Sequence, residues 1–192
     1  MHLLSNGVIL KTVCATHHRG ADPAPVSYTH LAMGTGASDW ERLQTAIGQG
    51  NTQMTPLHNA LLTASIANGG VLMKPYLIDR VETSEGEEVK KFLPATYGEL
   101  MSASEADALS GMMRQVVTEG TGSAVRTDAY AVAGKTGSAE FEKGKESHAW
   151  FTGFAPAEDP KLVVTVLVEE GGSGGREAAP IARALFDLYF SK

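Results

Sequence analysis

Cysteine is almost absent from this 192-residue chain, in which Cys14 is the only one. A single thiol excludes an internal disulfide framework and any zinc site built from several cysteines. No apolar run approaches the roughly 18 residues of a membrane span. Residues 1–4 lead directly into Ser5-Asn6-Gly7 instead of the apolar core of a secretory signal. We therefore expect no anchor and no signal in this stretch of sequence.

An excess of positive charge is also lacking. Lys and Arg number 16 against 22 Asp and Glu, and the formal net charge is −6. An acidic chain has no general electrostatic attraction to nucleic acid or anionic lipid, so we expect no nucleic-acid partner. Hydrophobic residues make up 43% of the chain and charged residues 20%, which is typical of a globular protein that buries a core.

The composition changes near residue 36. The first 36 residues show no sustained helical or strand period after Val8-Ile9-Leu10, and the stretch from Pro25 to Leu31 resembles translated sequencing-adapter read-through. We interpret residues 1–36 as a disordered or non-native leader and residues 37–192 as the domain. An intact reading frame across residue 34 in genomic DNA would contradict this hypothesis.

The leader also holds the residue types that bind zinc, namely Cys14, His17, His18 and His30. Thiolate and imidazole are both zinc ligands. The spacing of these four residues fits no closed metal-site pattern, so we predict no metal site.

Helix signals become regular after Asp39. Thr55-Pro56 predicts a helix start, and Asn68-Gly69-Gly70 predicts its end. Ser102 and Glu105 form the pattern of a capping box for a second helix. We expect the apolar stripe of that helix to lie in the core; it consists of Leu109, Met112, Met113, Val116 and Val117.

Three strands are predicted next, at residues 130–141, around 150–154 and at 162–168. Short connections between them predict antiparallel pairing. The third run is apolar on both faces, which indicates a central strand covered from both sides. A flexible glycine loop at residues 171–175 and a terminal helix follow. The fold class is therefore predicted to be α/β with three layers, in the order helix, antiparallel sheet, helix.

One tripeptide carries a chemical signal. Gly134-Lys135-Thr136 is not a phosphate loop, because Ala129 stands where the pattern needs glycine and a strand follows where it needs a helix. Lys135-Thr136-Gly137, by contrast, matches the Lys-Thr-Gly motif of serine acyl-transfer enzymes.

The surroundings of this tripeptide add specificity. Residues 133–140 and the run His148-Ala-Trp-Phe-Thr-Gly-Phe-Ala-Pro156 closely resemble the penicillin-binding protein transpeptidase domain. Four upstream segments resemble the same family and occur in the order that the family has. They are Gly48-Gln49-Gly50, Thr55-Pro56-Leu57, residues 67–70 and Gly120-Thr121-Gly122. The resemblance covers about residues 39–192, is greatest to the class B enzymes, and implies a β-lactamase/transpeptidase-like fold.

The resemblance implies a role for each residue of the motif. The Lys135 strand would flank the groove as an edge strand and pair with an extended stem peptide or a penicillin. Lys135 would belong to the proton network of the nucleophile, and the Thr136 hydroxyl would hold the terminal carboxylate of the substrate. Gly137, which lacks a side chain, would allow the substrate to approach the backbone closely. The Ser138 N–H would be one of two oxyanion-hole donors. No cofactor is implied.

Two motifs of the family are missing. No serine is followed by lysine at the third position, and no Ser-x-Asn occurs. We therefore interpret the chain as the incomplete, C-terminal portion of a peptidoglycan D,D-transpeptidase domain that is inactive alone. The parent protein would be anchored at the extracytoplasmic face of a bacterial membrane, with stem peptides, β-lactams and divisome or elongasome proteins as partners. The alternatives are a non-catalytic peptide- or partner-binding module of the same fold, or a serine β-lactamase or D,D-carboxypeptidase relative.

Overall fold

The computed structural model describes residues 2–5, 8–15, 36–49 and 54–191. In chain order the elements are β1 (His2–Ser5), β2 (Val8–Ala15), α1 (Asp39–Ala46), α2 (Pro56–Ala67), β3 (Val71–Met73), β4 (Arg80–Glu82), β5 (Glu88–Lys91), β6 (Thr96–Glu99), α3 (Ala103–Thr118), β7 (Ala133–Ala139), β8 (His148–Ala155), β9 (Leu162–Val168) and α4 (Ala179–Phe190). A 3₁₀ turn (Ser123–Val125) precedes β7, and a π-helix (Gly174–Ala178) precedes α4. Among these described residues, no helix combines the length and apolar character needed to cross a bilayer.

The main sheet has five strands in the order β1-β2-β9-β8-β7. The predicted antiparallel pairing of β7 with β8 and of β8 with β9 is confirmed. The pair β2 and β9 is parallel, which was not predicted. The rule of short connections concerns strands that follow one another along the chain, whereas β2 reaches β9 from far away in sequence.

Strands β1 and β2 both lie in the segment predicted to be a leader. Their backbones occupy the far side of the sheet from β7. Residues 16–35 of that segment, which include His17, His18 and His30, lie outside the described residues. The boundary at residue 36 and the non-native origin of the segment stay predictions.

The predicted three layers are confirmed around β9, which has six of its seven residues buried. One face of the sheet, with Phe151 and Val166, packs against Phe186 of α4. The opposite face, with Phe154 and Val163, packs against α2. Each large side chain that is fully buried in this way contributes about 1.5–3 kcal/mol to folding.

The caps of α2 and α3 follow the predicted pattern. The Thr55 hydroxyl accepts the His58 N–H at 3.1 Å, and Pro56 opens α2. Ser102 and Glu105 form a reciprocal capping box at the start of α3. These contacts satisfy N–H groups that the first turn of a helix leaves without partners.

The predicted core stripe of α3 is partly wrong. Its buried residues are Ala106, Met113 and Val117. Met112 is 60% exposed, and Leu109 is 37% exposed. Helix α3 contacts the sheet at its edge strand β7, so only a narrow strip of the helix is covered and the flank with Met112 remains outside.

A series of three threonine hydroxyls, of which those of Thr63 and Thr165 belong to buried residues and that of Thr152 to a half-buried one, joins the sheet to α2. Thr63 donates to the Asn59 carbonyl at 2.9 Å, and its oxygen lies 2.7 Å from that of Thr152. The Thr152 oxygen lies a further 2.7 Å from that of Thr165. Because Thr63 has already used its only proton, Thr152 must donate to Thr63 and Thr165 must donate to Thr152. The hydrogen bonds of these three hydroxyls therefore all point in one direction, from the central strand β9 to helix α2.

We expect Thr152→Val to destabilise the fold by about 1–3 kcal/mol, because it leaves the fully buried Thr165 hydroxyl without an acceptor. Thr165→Val removes only the first donor of the hydroxyl series, so the free energy of unfolding should fall by less than in Thr152→Val. Urea unfolding with an unchanged m-value measures both effects. Equal losses for the two variants would contradict the assigned direction.

Helix α4 is tied to the segment before β7 by a polar cluster. The Tyr130 hydroxyl donates to Asp187 at 2.5 Å, and Arg183 Nε donates to the same carboxylate at 2.7 Å. The hydrogen bond from Tyr130, supported by Arg183, lowers the pKa of Asp187 below its usual range. Burial and the Asp187 charge raise the pKa of Tyr130.

These shifts predict a stability plateau with two limbs. The contribution of Asp187 is fully present above its unfolded pKa of about 3.9 and is lost as the pH falls through the lower folded pKa. The contribution of Tyr130 is present below its unfolded pKa of about 10 and declines as the pH rises above it. In urea unfolding across pH, Asp187→Asn should flatten the acid limb and Tyr130→Phe the alkaline limb. Unchanged limbs would contradict this assignment.

Candidate active-site strand

Strand β7 carries the Lys-Thr-Gly motif at the edge of the main sheet. No further strand pairs with its open side among the described residues. Successive side chains alternate between the two faces. Lys135 is exposed on the same face as its cross-strand neighbour Thr152, which faces α2. The predicted edge position and the predicted separation of Lys135 from Ser138 across the pleat are confirmed.

The open edge of β7 presents the carbonyls of Thr136 and Ser138. In an antiparallel edge strand, alternate residues direct both N–H and C=O toward the neighbour, and the residues between direct both outward. The Lys135 ammonium donates to the Thr136 carbonyl, and Gln49 Nε2 donates to the Ser138 carbonyl at 3.1 Å. Both donors come from outside the sheet ladder, which places Thr136 and Ser138 in the outward set.

The hydroxyl of Thr136 is buried and paired. Thr136 is 8% exposed, and its oxygen lies 2.6 Å from that of Thr121 in the turn after α3. A pair of hydroxyls uses one of its two protons internally and leaves the other available. The pair can therefore donate one hydrogen bond to a third group, such as a carboxylate.

Two glycines of the predicted flexible loop are packed tightly behind this strand. A Cβ on Gly174 would lie 2.2 Å from the Trp150 carbonyl oxygen and 2.4 Å from that of Gly137. A Cβ on Gly175 would lie 2.7 Å from the Thr121 carbonyl oxygen. Only residues without a side chain fit at these two positions. Gly174 and Gly175 are the first residues of the π-helix, which therefore packs directly against the backbone of β7.

The hairpin between β7 and β8 is fastened to the segment after β9. The Glu170 N–H donates to His148 Nδ1 at 3.1 Å, and the His148 ring stacks on Phe141 with 4.0 Å between centroids. Lys145 lies between Glu142 and Glu170, and the hydrogen bond and charge of Glu142 raise the pKa of the Lys145 ammonium. These contacts hold the hairpin against the residues that follow β9.

Metal-binding groups do not gather in the part of the chain that the structure describes, where no cluster of three or more His, Cys, Asp or Glu side chains occurs. The four leader residues considered as zinc ligands are not covered by this finding. His17, His18 and His30 lie outside the described residues, and only the backbone is described at Cys14.

The sequence profile of the penicillin-binding protein transpeptidase domain matches residues 29–187. The chain belongs to this family. The match begins inside the segment predicted to be a leader and includes the whole of β7.

Named relatives agree with this assignment. The chain is 37% identical over 150 residues to the peptidoglycan D,D-transpeptidase PbpA of Mycolicibacterium smegmatis, which covers 73% of this chain and 30% of that protein. It is 36% identical over 172 residues to the peptidoglycan D,D-transpeptidase MrdA of Haemophilus influenzae, covering 79% and 26% respectively. The chain therefore spans about a third or less of the length of these relatives.

Solved structures confirm the transpeptidase fold. Penicillin-binding protein A from Mycobacterium tuberculosis, in its ceftriaxone acyl-enzyme complex, superposes with a TM-score of 0.69 at 35% identity. The superposition covers 75% of this chain and 34% of that one.

The four motif residues predicted from the sequence, Lys135, Thr136, Gly137 and Ser138, lie together on one edge strand. Their individual roles stay predictions. Sequence reasoning missed the contact between Gln49 and Ser138 and the pairing of Thr121 with Thr136. The family-like Gly48-Gln49-Gly50 and Gly120-Thr121-Gly122 were the available signals, but neither pattern indicates what its central side chain touches.

We expect Gly174→Ala to destabilise the protein by about 1–3 kcal/mol, because the methyl group would collide with backbone oxygens that belong to the sheet. Gly111→Ala is the matched control. Gly111 lies in α3 with open space around it, so the same methyl group should stabilise the helix by up to about 1 kcal/mol. Chemical unfolding measures both, and a neutral Gly174→Ala would contradict the supporting role of the π-helix.

Proposed function

We propose that this chain is the substrate-pairing portion of a peptidoglycan D,D-transpeptidase. The observation that carries the proposal is the Lys-Thr-Gly motif on an edge strand with two outward carbonyls. An extended peptide can add to such an edge through main-chain hydrogen bonds. The names of the relatives and the acyl-enzyme complex with ceftriaxone support this function and a β-lactam as a second ligand class.

The motif residues divide the work of binding and stabilisation. The exposed Lys135 ammonium supplies positive charge beside the edge. The Thr121–Thr136 hydroxyl pair donates its free proton to the ligand carboxylate. The Ser138 N–H, directed outward, stabilises the oxyanion that forms when a serine attacks the scissile carbonyl.

In our proposal, none of the serines of this chain is the attacking nucleophile. Ser65 is fully buried in α2 and donates to the Leu62 carbonyl at 2.7 Å, so it cannot reach the edge of β7. No serine of the chain stands in Ser-x-x-Lys. The parent protein would supply this motif, act at the extracytoplasmic face of the membrane, and work with division or elongation proteins.

A second candidate is a non-catalytic module that binds peptide on the same strand. The missing Ser-x-x-Lys favours it, because a fold without its nucleophile retains the binding edge and loses the covalent step. The two candidates predict the same binding by this chain. A parent gene with Ser-x-x-Lys upstream would favour the first.

Penicillin G should bind the full chain without forming a covalent adduct. In an NMR titration it should shift the amide signals of residues 135–138. Lys135→Met should weaken this binding about tenfold, because a charge-assisted contact is removed. Lys74→Met, which removes an exposed ammonium outside the motif, should leave the affinity unchanged.

A fluorescent penicillin, followed by denaturation and gel electrophoresis, checks the covalent half of this prediction. We expect no labelled band. A stoichiometric adduct would show that the chain contains its own nucleophile, and the absence of any shift at β7 would contradict the proposed function.

A further inference from the structure

The carbonyl of Ser138 is already occupied by a side chain from a distant part of the sequence. Gln49 Nε2 lies 3.1 Å from this oxygen, across 89 positions of sequence. Gln49 follows α1, and its own N–H donates to the Gln44 carbonyl at 2.8 Å. The backbone hydrogen bond to the end of α1 holds Gln49 where its side chain reaches β7.

A primary carboxamide and a peptide N–H are equivalent donors to a carbonyl oxygen. An added strand would donate its N–H to the outward Ser138 carbonyl from the open edge of β7. Gln49 approaches from that same side, because β8 covers the other. The side chain of Gln49 therefore fills the position that a ligand amide needs.

We propose that Gln49 is a specificity-determining residue that caps the Ser138 carbonyl and is displaced by ligands carrying an N–H donor at that point. This inference rests on the proposed function. A ligand amide exchanges one hydrogen bond for another and gains little affinity from it. A ligand without the amide leaves the Gln49 cap in place.

Two penicillins that differ in the donor alone provide the test. Penicillin G has an acylamino N–H on its β-lactam ring, and penicillanic acid has none. In the isotope-labelled wild-type chain, penicillin G should move the Gln49 side-chain NH₂ signals and the Ser138 carbonyl carbon signal together. Penicillanic acid should shift residues near Lys135 while the Gln49 NH₂ signals stay in place.

Substitution measures the competition. Gln49→Met and Gln49→Leu both remove the donor, and either should tighten penicillin G binding between about two- and tenfold, the value of one ordinary hydrogen bond. The affinity for penicillanic acid should not change. Gln115→Met, at an exposed position of α3, is the matched control and should alter neither affinity.

The outcomes separate this inference from the proposed function. If penicillin G shifts the β7 amides while the Gln49 signals stay unchanged, the cap is not displaced and the inference about Gln49 is wrong. Equal changes in affinity for both penicillins in Gln49→Met would also overturn it. If neither penicillin shifts β7, the proposed function fails for this chain, and the competition with Gln49 fails with it.

Discussion

The burial of β9 on both faces is the constraint on which the rest of the architecture depends. A strand of seven residues with six buried cannot lie on a surface, so a helical layer must cover it from each side. Antiparallel pairing then places β8 beside β9 and β7 beside β8, so that β7 lies at the edge of the sheet, two strands away. The binding role proposed for the motif requires this edge position, because the carbonyls of a central strand are all paired with neighbouring strands.

Strands β7 and β8 are both packed against neighbouring elements. Behind Gly137, the packed backbone of Gly174 fixes the strand from one side. In front, the hydroxyl series through Thr152 ties the cross-strand neighbour of Lys135 to α2. Packing of β7 against Gly174, and of its neighbour β8 against α2, would keep the spacing of the outward groups without a ligand and so reduce the ordering cost of the proposed binding.

Local patterns predicted the parts of the fold that are decided locally. The third strand was predicted with its observed limits, residues 162–168, because apolar residues on both faces leave no other environment for it. The starts of α2 and α3 followed from their caps at Thr55 and Ser102. The Lys-Thr-Gly strand followed from its motif and its short connection to β8.

Features decided by distant contacts were missed. Helix α1 was missed for a different reason: it buries none of its residues and so has no apolar stripe, although the capping box of Ser38 and Glu41 is a local signal for its start. Gly174 was interpreted as flexible from the composition of its loop, whereas close backbone packing is what requires it. The Gln49 contact joins two segments that share no local pattern.

The two occupied carbonyls of β7 also bear on self-association. A strand edge that can pair with a ligand strand can also pair with the edge of a second copy, and natural sheets protect such edges, often with lysine. Lys135 and Gln49 occupy the two outward carbonyls from within the chain, and no further strand of the described structure covers the edge. A ligand strand can replace hydrogen bonds from side chains one at a time. A bulge or a proline in the edge strand would instead prevent pairing with a ligand as well as with a second copy.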